Sequence, residues 1–495
     1  MGRAAWPGRP SGSAAEHLAD HSVEVELVDA LGPDDDASAD RPAAARVGTG
    51  HHVAAWTGLA VSVVLAVSVV LAVVVVGANL AQARRERAVV AALEDVAGVL
   101  APVGGPVEEV WRVPGRQLIA DSPEALVLSA GADAADLRAV DPASGAVLWE
   151  RAGDPRQTCL PVGGDGGEVR SPVLIVCAAV LDADAPGAAD ATSLVALEPA
   201  TGREVRVLDV ATAPLTLDVV DDDVVITRLG DRETVTATRW DPVAGRVVWT
   251  YRTEPGRATG LHDRGWWLSI VERGVLWVGA PRRMVAVDLA TGRGLSGEDP
   301  PDVWSVGSSA VLPDGSTAFW GDEVGGEPLG TRVVGPDGAE RFTFDGAPWL
   351  AAVSDGSEPD VLPVRRAGTL DVVGLDVRTG EQVWAARTLQ GMYPYVQVDG
   401  IAVATNALRT VAVDLGTGTR LWEESLGQGR SWPLTDGRQV FLLTRERGLL
   451  GVSAHDVRTG AQQWWVPVPR DAAYLDAAGR DTILVHTGQE VIAYR

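Results

Sequence analysis

Residues 410–425 read TVAVDLGTGTRLWEES, and the order of residue types in that stretch sets the architecture. Val411 and Val413 alternate with other residues, the period of a strand with one buried face. Arg420 to Glu424 resumes the alternation, which marks an antiparallel neighbour. Between them Asp414 is placed to accept backbone N–H bonds in an Asx-type turn, and Gly418 to take the positive φ that closes it. Trp422, four residues past the glycine, is thereby delivered to a fixed place on the outer strand. There its large apolar face fills a wedge between neighbouring sheets, and its indole N–H needs one acceptor.

The same corner recurs as AVDPASGAVLWE from 139, RWDPVAGRVVWT from 239, GLDVRTGEQVWA from 374 and AHDVRTGAQQWW from 454. Weaker copies are ALEPATGREVRV from 196, AVDLATGRGLSG from 286 and a shortened VVGPDGAERFTF from 333. The turn glycines, Gly145 through Gly460, lie about 45 residues apart, the size of a propeller blade. Trp149, Trp249, Trp384, Trp422 and Trp464 occupy the aromatic slot, while Arg206, Ser296 and Phe342 depart from it. Near the start, VEEVWRV (107–113) reads as an outer strand with Trp111 in the slot, and DTILVHTGQEVIAYR (481–495) supplies inner strands only. Pairing the two removes two exposed sheet edges at once. The expectation is an all-β, closed propeller of four-stranded blades over 107–495. Propellers typically have four to eight blades, so eight is expected, with one unit degenerate; nine is the alternative.

Ahead of the repeats, residues 1–50 hold Pro, Gly, Ala and acids, including GPDDDASAD at 32–40. That composition buries too little surface to offset its ordering entropy, so a disordered acidic cytoplasmic tail is expected. Residues 53–77 carry no charge and are long enough to cross roughly 30 Å of hydrocarbon as one transmembrane helix. A signal-peptide reading conflicts with the length of the run and its distance from the N-terminus. Residues 84–101 are expected to continue as a juxtamembrane helical stalk, which Pro102 and the cluster Gly104-Gly105-Pro106 end. Flanking arginines, Arg41 and Arg46 on one side and Arg84, Arg85 and Arg87 on the other, point weakly to a cytoplasmic C-terminal side. Long domains translocate largely regardless of such charges, and the two cysteines fit an oxidising compartment. The propeller is therefore expected outside the cytoplasm.

A formal charge of -25, with every basic residue an Arg, argues against the phosphate neutralisation on which nucleic-acid affinity rests. The 56 Gly and 30 Pro agree with many turns rather than long helices.

The D-x-x-T-G-x-x-x-W units resemble the repeats of the pyrroloquinoline quinone family of β-propellers, over about residues 107–495. That family includes quinoprotein alcohol and sugar dehydrogenases. It also includes quinone-free members, among them outer-membrane assembly propellers and membrane-anchored proteins of high-GC bacteria, whose layout this chain resembles most. For a dehydrogenase the resemblance would imply an adjacent Cys-Cys ring, calcium held by carboxylate and amide ligands, and a catalytic Asp. None is matched: the cysteines lie at 159 and 177, and the sole Asn beyond the membrane segment's edge is Asn406. No quinone, metal or other cofactor and no catalytic residue is expected.

Cys159 and Cys177 fall in TCLPV and LIVCAAV, the first two strands of one blade, where hairpin partners come within disulfide reach. Asp182, Asp184 and Asp190 lack the rest of a calcium loop, and the seven His are scattered without zinc spacing. One recurrence remains. Aromatics sit shortly after several tryptophan slots, just before the next inner strand: Trp304, Trp349, Tyr393, Tyr395, Trp432 and Tyr474, with Arg430 and Asp471 beside them. In a propeller these connections meet at the channel mouth, where aromatics supply contact area at low entropic cost. The expected function is a non-enzymatic scaffold that binds a protein or cell-envelope partner there. A small-ligand or carbohydrate sensor is the alternative.

Overall fold

Each corner of the repeat becomes the last turn of an antiparallel sheet. The computed structural model describes residues 73–94, 96 and 98–495, apart from 131–135, 154–156, 164–173, 180–191, 211–214, 221, 231–233, 254–267, 273–274, 281–282, 296–307, 313, 321–329, 358–359, 370, 393–394, 407 and 427–431. Among the described residues there are nine sheets, in place of the eight expected. The reason is that every corner seen in the sequence belongs to its own sheet and the split unit adds one more; the fourth sheet shows three strands among the described residues. In chain order the sheets cover 117–151, 157–210, 215–252, 268–288, 308–344, 346–386, 395–425 and 434–467, and the ninth joins 474–494 to Glu109–Pro114. In the ninth the first strand pairs with the last, Trp111 opposite Ala493 and Val113 opposite Val491. The seventh gains a fifth strand, Ala351–Ser354, which runs parallel to Tyr395–Val398.

The corners are built from the acid outward. Asp414 Oδ1 accepts from the Thr417 N–H and hydroxyl, both at 2.8 Å, and the Gly418 N–H donates to the Asp414 carbonyl at 2.7 Å. Gly418 sits at φ +68, where a side chain is strained. At the equivalent Asp376, the backbone N–H groups of Thr379 and Arg378 hold the carboxyl below its ordinary range.

Past each corner whose outer strand is described, that strand carries a one-residue bulge. Val413 pairs with Arg420 but Ala412 pairs with Trp422, which leaves Leu421 without an opposite number. The same slip occurs at Leu148, Val248, Val383 and Gln463. A bulge bends the strand and re-aims the next side chain, here the tryptophan, onto the corner of the following sheet. Trp422 Nε1 donates to Val457 O at 2.8 Å, and its ring covers Gly460 so closely that a Cβ there would meet ring carbons at 2.7 Å. Trp111 joins Pro142 O and Gly145, Trp149 joins Pro199 O and Gly202, Trp249 joins Leu289 O and Gly292, and Trp384 joins Leu415 O and Gly418 in the same way. Arg206 lies on Gly245 and Phe342 on Gly380. Trp464 meets no glycine corner. It packs on Phe441, in one cluster with Leu100, Leu475 and Val485.

Cys159 and Cys177 are register partners on adjacent strands and are joined by a disulfide with Cα atoms 4.1 Å apart.

Of the apolar run 53–77, residues 53–72 lie outside the described residues, as does the tail 1–50; residues 73–77 are helical and exposed. No helix of the described residues is long and apolar enough to cross a membrane. The helix runs over 73–92 and not to 101. Its last turns and the segment after it are packed against the β-domain: Val89, Leu93, Val99 and Leu100 are buried, with Val99 bridged in parallel to Thr435. Leu100 N donates to Thr435 O at 2.9 Å, and Val103 N to Asp436 Oδ2 at 2.9 Å. The pairing keeps residues 99–103 out of the helix, because backbone groups that bond Thr435 and Asp436 cannot also serve a helical turn.

Candidate functional site

The innermost strands of four sheets border one space. A cavity of about 680 Å³ lies between those of the first, seventh, eighth and ninth sheets. Three residues of the sequence-derived aromatic set line it together: Tyr395, Trp432 and Tyr474. Leu118, Val353, Val396, Leu434 and Leu475 supply aliphatic wall, and Gln117 and Asp476 are polar.

The aromatics are held differently. Tyr395 is buried and packs on Trp349 with centroids 4.2 Å apart, and burial raises its hydroxyl above the usual tyrosine range. Trp349 is itself buried and backs Tyr395 rather than facing the cavity. Trp432 leaves 53% of its surface exposed. Tyr474 donates its hydroxyl to Arg116 O at 2.9 Å and stacks on His486, with centroids 4.3 Å apart and planes 8° from parallel. Asp471 is exposed and does not line the cavity. Trp304, Tyr393 and Arg430 lie outside the described residues.

Behind Tyr474 lies a polar pair that the sequence did not single out. His486 is fully buried. Its Nδ1 stands 3.0 Å from the Arg116 carbonyl, an acceptor only, so that nitrogen carries the proton and Nε2 a lone pair. Nε2 has no hydrogen-bond partner and faces Asp476 Oδ2 at 3.9 Å. Burial pushes the imidazole down to about 4. Burial, helped by the negative charge of Asp121, pushes Asp476 up to about 6. One signal for Asp476 was present in the sequence: it stands two residues after Tyr474, hence on the same strand face. His486 had none.

The two shifts oppose one another in acid. His486, depressed, contributes stability that is present above about pH 6.5 and lost as pH falls through 4. Asp476, raised, contributes stability that is complete below pH 3.8 and lost as pH rises through 6. Between pH 6 and 4 the wild type therefore changes little on account of this pair. Asp476→Asn removes the compensation, and chemical denaturation should show its stability relative to wild type falling towards pH 4, by at most about 1.4 kcal/mol per pH unit. A difference that is flat with pH would contradict the assignment.

Pyrroloquinoline quinone carries three carboxylates, and the described lining offers Asp476 and no Arg. An anionic ligand is repelled there, so these residues do not fit that group.

The family model described as outer membrane protein assembly factor BamB matches residues 133–298 and 369–495, more than half of the chain. Among solved structures, BamB from Moraxella catarrhalis is 16% identical, with 79% of this chain and 100% of that one covered and a TM-score of 0.40. A europium-containing methanol dehydrogenase is 12% identical, with 78% and 93% covered and a TM-score of 0.39. The Dos1 propeller is 9% identical, with 78% and 94% covered and a TM-score of 0.41. No curated protein sequence matches. The extent of the family match makes this chain a member of the BamB-type, pyrroloquinoline-quinone-like repeat family.

Proposed function

We propose that residues 107–495 form a closed propeller, anchored by one transmembrane helix at 53–77 with the propeller outside the cytoplasm, and that it is a non-enzymatic scaffold for a protein or cell-envelope partner. The observation that carries the binding role is Trp432, half exposed at an apolar cavity where Tyr395 and Trp349 are buried. A large aromatic at the rim of a pocket is the anchor that dominates binding energy at interfaces. The family description, an assembly factor, names a protein that works through other proteins. Closure is supported by the pairing of the first strand with the last. An extracytoplasmic placement is supported by the Cys159–Cys177 bridge, since such bonds persist in oxidising compartments.

Two measurements test this reading. Chemical cross-linking on intact cells, with subsequent recovery of the protein, should yield a partner that Trp432→Ala loses by about tenfold or more, as interface anchors do, while the melting temperature stays at the wild-type value. Undiminished recovery would remove the proposed face. An alkaline phosphatase fused after Arg495 should be active, as that enzyme is only outside the cytoplasm; an inactive, stable fusion would reverse the orientation.

A further inference from the structure

A carboxylate and a buried imidazole lone pair that face each other with no donor between them are an unfinished hydrogen-bond set. Asp476 Oδ1 is engaged by the Ala477 N–H at 3.0 Å, but Oδ2 looks across 3.9 Å at His486 Nε2, and that nitrogen finds no partner. Both are acceptors, so neither can satisfy the other while Asp476 is ionised. His486 Nε2 is enclosed and has no proton to give, so it leaves the open oxygen of Asp476 to a positively charged donor in the cavity. Asp476 borders the cavity, its side chain 41% exposed, and the walls beside it are Trp432, Tyr474 and Tyr395. Aromatic faces attract cations, and the formal charge of -25 raises the local concentration of cationic ligands.

We infer that this cavity binds an organic ammonium group attached to a compact apolar body, with Asp476 as its counter-ion and Trp432, Tyr474 and the aliphatic wall around the apolar part. The charge-assisted bond sets orientation, and the apolar lining supplies area. The inference goes beyond the scaffold reading and stands on the cavity alone: partner recovery can fail while amine binding succeeds, and the reverse.

The test is calorimetric titration of the whole protein with phenethylammonium, with its neutral analogue 2-phenylethanol, and with the dipeptide amide Phe-Gly-NH2, which carries the same group on a peptide. Saturable binding of either cation, with the alcohol at least about tenfold weaker as for loss of one charged partner, supports the site; which cation binds tells a free amine from a peptide terminus. Asp476→Asn should weaken the cation about tenfold or more and Trp432→Ala by a few-fold, while Asp476→Glu restores much of the affinity. A cooperative melt at a temperature no lower than the wild type's separates these losses from misfolding. No saturation with either cation, equal binding of the alcohol, or undiminished binding to Asp476→Asn overturns the inference.

Discussion

Replacing Trp384 by Ala lowers the unfolding free energy by about 3–5 kcal/mol, the cost of removing a buried tryptophan, because that residue joins two sheets. Its ring covers Gly418 of the next sheet and its indole N–H bonds Leu415 O, so truncation opens a wedge and orphans a carbonyl. The reciprocal change identifies the mechanism. A Cβ on Gly418 would stand 2.8 Å from the Trp384 ring, at φ +68; Gly418→Ala therefore carries both backbone strain and overpacking, each about 1–3 kcal/mol. In a Trp384→Ala background the overpacking disappears and only strain remains. Denaturant melts of the four proteins should give a coupling of about 1 kcal/mol or more. Gly245→Ala is the control: its Cβ would meet the far end of the Arg206 side chain, which can swing away, leaving the strain alone. Additive effects at 384 and 418 would mean that the indole does not staple the sheets.

Removing the first strand has the second large effect. Compared with a protein that begins at residue 107, one that begins at 115 loses Glu109–Pro114, the partner of the last strand, and Trp111, which is buried and bonded to Pro142 O. The strand Glu490–Tyr494 becomes an open edge, a template for aggregation. Light scattering and thermal melts should show a cooperative monomer for the longer protein and aggregation without a cooperative transition for the shorter, a loss on the scale of a domain's whole stability of about 5–15 kcal/mol. A monomeric, cooperatively melting protein from residue 115 would show that this strand is an ornament.

The fold was legible because its corner is local. Asp414, Gly418 and Trp422 lie within nine residues, and each acts through a turn or a strand face that sequence spacing determines. The features that spacing missed depend on distant partners. The bulge at Leu421 is set by pairing with Ala412 and Val413, which spacing alone does not reveal. Ala351–Ser354 joins the seventh sheet only because Tyr395–Val398 leaves it an edge. The helix does not reach 101 because Thr435 and Asp436, far along the chain, pair with Val99, Leu100 and Val103. Nine sheets stand where eight blades are expected, because a prior on propeller size outweighed a direct count of corners. In the candidate site, the aromatic recurrence found Tyr395, Trp432 and Tyr474 but could not separate them from Trp349, whose burial behind Tyr395 is a matter of packing. His486 was invisible, since its role comes from a lone pair facing Asp476 across two strands.

Whether the two ends of the β-domain share one sheet is tested most directly by a cysteine pair across their register. Pro114 and Glu490 are opposite residues, as Cys159 and Cys177 are, and directly opposed strand residues have Cα atoms about 4.5–5.5 Å apart, within disulfide range. The variant Pro114→Cys/Glu490→Cys, oxidised as a dilute monomer, should yield a peptide linking the two positions on mass spectrometry of the unreduced digest. Free thiols at both positions, or links only between molecules, would contradict the shared sheet.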